Sequence, residues 1–228
     1  MAASLLESAL LRSGVLAFLG AGLIEEFVKL VGLVLVARGL PRYVTRDGVV
    51  LGAAVGFGFA ALESSGYALS ALIVREGRTI VFSLGNLVST ELLRGILAPV
   101  GHGLWTAILG GTLFSSARSG HLRASWSLVR AFILVTVLHA AWDTMHLVSM
   151  FVAALLTAAP IMSQFWVILL LPPALADMLV YYAALISGLT LLSLVGMLRL
   201  RQQWASRTAL PAPAINLEPE TRARTDGA

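Results

Sequence analysis

Long apolar runs recur along this chain, each about as long as a bilayer is thick, with short polar segments between them. Five stand out, at residues 14–37, 48–74, 95–115, 128–150 and 174–198. Each meets the roughly 20 apolar residues that one helix needs to cross the hydrocarbon core. Strands of a membrane barrel would be about ten residues long, with polar and apolar positions alternating. These runs are longer and apolar on most faces, so the predicted class is all-α: a polytopic membrane helix bundle of about five to six transmembrane helices.

Two segments break the pattern. Residues 80–94 carry Asn86, Glu91 and Arg94 among apolar neighbours, which predicts an interfacial or partly buried helix rather than a further span. Residues 151–173 are interrupted by Pro160, Pro172 and Pro173, and the run between the prolines is about half a bilayer long. Arginine placement bears on the count. With five spans, the arginines at 38, 42, 46, 118, 123, 130, 199, 201 and 207 share one side, against those at 12, 75, 78 and 94. A sixth span would level the two sides, so an odd number is favoured, with the C-terminal end cytoplasmic. The expected organisation is a helical membrane domain over residues 1–198 and a polar, disordered cytoplasmic tail over 199–228, whose end is rich in proline and charge.

Composition agrees: 58% of residues are hydrophobic and 12% charged, with a mean hydropathy of +0.87. The N-terminal segment lacks a basic region and a small-residue cleavage site, so it is expected to be retained. The net charge of +4 comes with fifteen arginines and one lysine. Loop arginines report topology here, and no nucleic-acid partner is expected. The absence of cysteine excludes thiol catalysis, disulfides and thiolate metal sites.

The informative residues are the polar ones inside the spans, because a charge at mid-bilayer costs about 2.5–3.5 kcal/mol even on the lenient insertion scale. Glu25, Glu26 and Lys29 lie in the first span, Glu63 in the second, His102 in the third, and His139 with Asp143 in the fourth. Lys29 is three and four residues from the two glutamates, so either can meet it on its own helix, while the carboxylates diverge by about 100°. His139 and Asp143 share a face. Four helices thus deliver acid or imidazole to similar depth, as a hydrolytic site or a proton relay would require. Glu91, Asp177, His121 and His146 read as interfacial groups or bystanders; Glu91 has Arg94 three residues away. Gly52 and Gly56 form a small-xxx-small pair suited to close helix packing.

The segments EEFVK at 25–29, GFAALESSGY at 58–67, LLRGILAPVGHGLW at 92–105 and LHAAWD at 138–143 resemble the four ordered motifs of the PrsW family of intramembrane proteases. That family is similar to the type II CAAX prenyl endopeptidases. Ser64 stands where the family often has asparagine after the second-motif glutamate. The resemblance implies a multi-pass protein of the bacterial plasma membrane that cleaves membrane-anchored substrates, such as an anti-sigma factor. It implies Glu25, Glu26, His102 and His139 as catalytic residues, supported by Lys29, Glu63 and Asp143. A divalent metal such as zinc, on His102, His139 and Asp143, is the expected cofactor, beside a metal-free reading in which the histidines stabilise the oxyanion. HExxH is absent, so the zincin spacing does not apply. Of the two glutamates, Glu26 is the favoured base. A proton- or ion-coupled transporter and an inactive scaffold are the alternatives.

Overall fold

The computed structural model describes residues 15–76, 79–158 and 173–205. Among these residues five helices follow in order: α1 (Val15–Ala37), α2 (Thr45–Leu72), α3 (Leu84–Ser115), α4 (Trp126–Ala158) and α5 (Pro173–Ala205). Helices α2 to α5 are each long and apolar enough to cross a membrane. Helix α1, at 23 residues, is about 34 Å long and differs by carrying three charges at its middle. Its outer stripe, Leu19, Leu23, Phe27, Val31 and Leu35, is apolar and exposed. The charges face the bundle instead, where Glu25, Glu26 and Lys29 are buried. That division is the one a helix needs in lipid.

Residues 80–94 do not form the separate helix expected from sequence. Strands β1 (Ile73–Glu76) and β2 (Thr79–Phe82) pair antiparallel, from Ile73 opposite Phe82 to Glu76 opposite Thr79. Ser83 then caps α3 by accepting from the Asn86 amide, and the helix runs unbroken through Pro99 to Ser115. The β-branched residues of β2 favour the strand, and the serine cap starts the helix four residues later than a helix from residue 80 would. Beyond Met150, α4 continues to Ala158, whereas residues 159–172 lie outside the described residues. Helix α5 extends to Ala205, so the expected tail is helical over 199–205; residues 206–228 lie outside the described residues.

The α2–α3 hairpin is joined backbone to backbone. A Cβ on Gly48 would strike the carbonyl of Gly110, one on Gly52 that of Thr106, and one on Gly56 that of His102. Each step of four residues along α2 is answered by a step back of four along α3. The glycine stripe is therefore a ruler that fixes which residues of α3 face α2, and its last mark is His102. On the other side, a Cβ on Gly22 would lie 3.1 Å from the Thr136 carbonyl and 3.5 Å from the His139 Cβ, which brings α1 against α4 one turn before Glu25. Helix α5 packs on α4 and α3, with Gly188 against Met145 and Gly196 against Trp105.

Gly56→Val should therefore lower the unfolding temperature in detergent, since overpacking costs about 1–3 kcal/mol and here the obstacle is backbone. Gly58→Val, where nothing lies within 4 Å, is the matched control. Equal unfolding temperatures for the two variants would mean that α2 and α3 do not meet along this stripe.

Candidate active site in the bundle core

Lys29, Glu26 and His139 are almost wholly enclosed, at 1%, 0% and 3% exposure. The Lys29 ammonium donates to Glu26 Oε1 at 2.8 Å and, more weakly, to Glu25 Oε2 at 3.4 Å. These are the i,i+3 and i,i+4 pairings expected from sequence. The third donor direction crosses the bundle: Nζ lies 2.7 Å from His102 Nδ1. Phe59 flanks the ammonium, its ring centroid 4.4 Å from Nζ.

Two carboxylates orient the two histidines. Glu26 Oε1 lies 2.8 Å from His139 Nδ1; a carboxylate only accepts, so Nδ1 carries hydrogen and, in the neutral ring, Nε2 keeps its lone pair. That Nε2 is 3.5 Å from Glu25 Oε2 and 3.3 Å from Asp143 Oδ2. For His102 the roles reverse: an ammonium only donates, so Nδ1 holds the lone pair and Nε2–H donates to Glu63 Oε2 at 2.9 Å. Glu63 is itself gripped by Arg94, whose Nη2 donates at 2.8 Å, while Arg94 Nε donates to Ser64 Oγ at 3.1 Å and the guanidinium lies over Tyr67 at 4.0 Å. Both imidazoles thus bring a ring nitrogen near Glu25, whose Oε2 is also 3.9 Å from His102 Nδ1.

All seven residues marked from sequence (Glu25, Glu26, Lys29, Glu63, His102, His139 and Asp143) join this one network. Arg94 is the member that sequence reading missed: it serves Glu63 rather than Glu91, whose buried Oε1 has no hydrogen-bond partner among the described residues. His121 and His146 are exposed and bond to the carbonyls of Ser119 and Asp143. Asp177 is exposed. None of these three joins the network among the described contacts.

The family model described as PrsW family intramembrane metalloprotease matches residues 1–171. The chain belongs to this PrsW family. A relative, the Protease PrsW of Geobacillus kaustophilus (strain HTA426), is 30% identical over 128 residues, 56% of this chain and 50% of the relative. The chain thus spans about half the length of the curated relative it matches. No solved structure matches it. Membership in PrsW and the four long apolar helices make this an integral membrane protein.

The family description implies a metal, and the donors present suit one. Glu25, His102 and His139 each offer a ligand atom, all within 4.8 Å of one another and all buried. Two imidazoles and a carboxylate form a recurrent catalytic zinc set. Tetrahedral zinc bonds of about 2.0–2.2 Å would hold ligand atoms about 3.3–3.6 Å apart. The separations of 3.5 Å and 3.9 Å from Glu25 Oε2 need little closing. Behind each histidine stands a carboxylate, Glu63 or Glu26, as is usual for metal-bound imidazole. By formal charge, the acids Glu25, Glu26, Glu63 and Asp143 face the cations Lys29 and Arg94. The excess is two negative charges, and a dication matches it. Asp143, expected from sequence as a ligand, touches His139 Nε2 but lies outside this group of three.

Proposed function

We propose that this protein is an intramembrane peptidase that hydrolyses peptide bonds of membrane-anchored proteins, single-span anti-sigma factors being the substrate class suggested by resemblance. The observation that carries the reading is the convergence of Glu25, His102 and His139, from three separate helices, into one enclosed cluster. Burying these groups far from water is costly unless they are paired, and pairing alone does not call for two histidines with ring nitrogens within 4 Å of a common carboxylate oxygen.

Hydrolysis of an amide needs an activated water, a stabilised oxyanion and a proton for the leaving amine. Glu25, His102 and His139 would hold the divalent ion, which when bound supplies Lewis-acid polarisation of a carbonyl and of water. Glu26 works behind them. Both its known contacts run through Oε1, to Lys29 and to His139, and it keeps the His139 ring in one tautomer. Glu25 is the glutamate that faces both histidines, with only the long 3.4 Å contact to Lys29. The geometry therefore favours Glu25 over Glu26 for contact with reacting atoms. Asp143, whose side chain is about a third exposed, reaches His139 from the open side and is suited to pass protons between solvent and the leaving amine. Arg94, through Glu63, fixes the plane of His102. The same residues serve a metal-free route, favoured by the Lys29 contact on His102 Nδ1, in which Glu25 takes the proton of water.

Purified protein in liposomes with a single-span reporter substrate tests this. Cleavage should stop with a membrane-permeant chelator and return with zinc. Cleavage that persists at full rate in metal-depleted protein would leave only the Glu25 route. No cleavage, together with acid-driven ion flux into the liposomes, would put the transporter in its place. The proposed arrangement has five spans and a cytoplasmic C-terminal end, so a topology reporter fused after Ala205 should read cytoplasmic; a periplasmic signal would overturn the odd count.

A further inference from the structure

Lys29 is the largest charged side chain in the wholly buried core, and the hydrolytic scheme gives it nothing to do. Its position is nonetheless specific. The ammonium has three hydrogens and meets three acceptors: Glu26 Oε1 at 2.8 Å, Glu25 Oε2 at 3.4 Å and His102 Nδ1 at 2.7 Å. Two of these residues, Glu25 and His102, belong to the group able to hold a metal. With Nε2–H of His102 committed to Glu63, Nδ1 has one lone pair, and it cannot serve an ammonium and a metal ion together.

The ammonium also has somewhere to go. Glu26 Oε2 is buried and has no hydrogen-bond partner among the described residues, an arrangement that is costly for a charged group. It belongs to the carboxylate Lys29 already touches through Oε1. The Phe59 ring lies 4.4 Å from Nζ, and its face favours a cation at this end of the side chain. A short movement would exchange His102 Nδ1 for Glu26 Oε2 and leave the ammonium fully paired.

We propose that Lys29 holds the metal's place: its ammonium occupies the lone pair of His102 when no divalent ion is bound and shifts onto Glu26 when one enters. This rests on the reading of Glu25, His102 and His139 as the metal holders. Its consequence is a site that stays assembled and charge-paired without metal inside the bilayer, at the cost of weaker metal binding. Lys29 is thus a positioning residue that sets metal affinity.

Zinc titration of the full chain in detergent, by calorimetry and by metal content after dialysis, tests this. Lys29→Met removes the competitor and its charge, so zinc should bind about tenfold more tightly or better than to the wild type. Zinc binding only to Lys29→Met would support the proposal as strongly. If the wild type binds zinc and Lys29→Met binds no tighter, the proposal fails while the metal reading stands. If neither binds, both fail. Should Lys29→Met not fold, the wild type labelled with 15N-histidine decides: zinc should shift both the Nδ1 signal of His102 and the Nε2 signal of His139. A zinc-induced shift at His139 alone would show that the ammonium keeps its place and would overturn the proposal.

Discussion

Glu25→Gln is expected to cut cleavage of a membrane substrate by about 10² to 10⁴ or more, the range lost with a general acid or base. Glu26→Gln should cut it by less while destabilising the fold by more. The two side chains are neighbours on one helix, yet their surroundings differ. Glu25 Oε2 faces both histidines at 3.5 Å and 3.9 Å, so an amide there removes the charge at the reacting centre. Glu26 is wholly enclosed and pairs with Lys29 and His139 through one oxygen. An amide oxygen can still accept one of those bonds, but the ammonium loses its close counter-charge and keeps only the 3.4 Å contact to Glu25. Breaking a buried ion pair costs on the order of 3 kcal/mol, which thermal unfolding in detergent would register. Activity and stability should thus rank the two variants in opposite orders. Reversed activity would assign the reacting carboxylate to Glu26. Wild-type cleavage by both would reduce the pair to an ion-pair device and end the glutamate-dependent mechanism.

Much of this was legible in the sequence because lipid makes polar residues conspicuous. Glu25, Glu26, Glu63, His102, His139 and Asp143 stood out by the cost of placing them in apolar runs, and helical spacing sufficed to pair Lys29 with its own glutamates. What escaped was tertiary. Arg94 looks answered by Glu91 three residues earlier, and only the antiparallel register of α2 and α3 shows that Glu63 is its partner. That register is set by backbone contact at Gly48, Gly52 and Gly56. The spacing of Gly52 and Gly56 predicts close helix packing but does not say which residues lie opposite. The β-hairpin was missed for a local reason: a four-residue strand beside a long helix carries too short a pattern to separate from that helix. The bond from Lys29 to His102 spans 73 residues, and no spacing rule reaches across it.

The network also has a direction. Arg94 fixes Glu63, Glu63 fixes His102, and His102 meets Lys29, which is tied through Glu26 to His139. Helices α1 to α4 each hold part of this chain of contacts, while α5 joins the bundle by packing and by the Gln203 bond to Thr112 at 2.8 Å. A change at any link alters how the two ring nitrogens converge on Glu25. Single substitutions at the site should therefore overlap in effect rather than add.

His139→Ala gives that expectation its sharpest form. It removes Nε2 from the centre and Nδ1–H from Glu26, so cleavage should fall to about the level of Glu25→Gln, or below it. Residues that act as a unit lose their common contribution once. The double variant Glu25→Gln, His139→Ala should consequently lie within about tenfold of the worse single variant, rather than at the product of the two losses. His139→Gln keeps a polar group for Glu26 Oε1 and controls for misfolding: its activity should fall as far while its unfolding temperature falls less. The measurement is initial cleavage rate in liposomes at matched protein content. A double variant whose loss equals the product of the single losses would mean that the two residues act at independent places, and the single-site reading would then be wrong however close they lie.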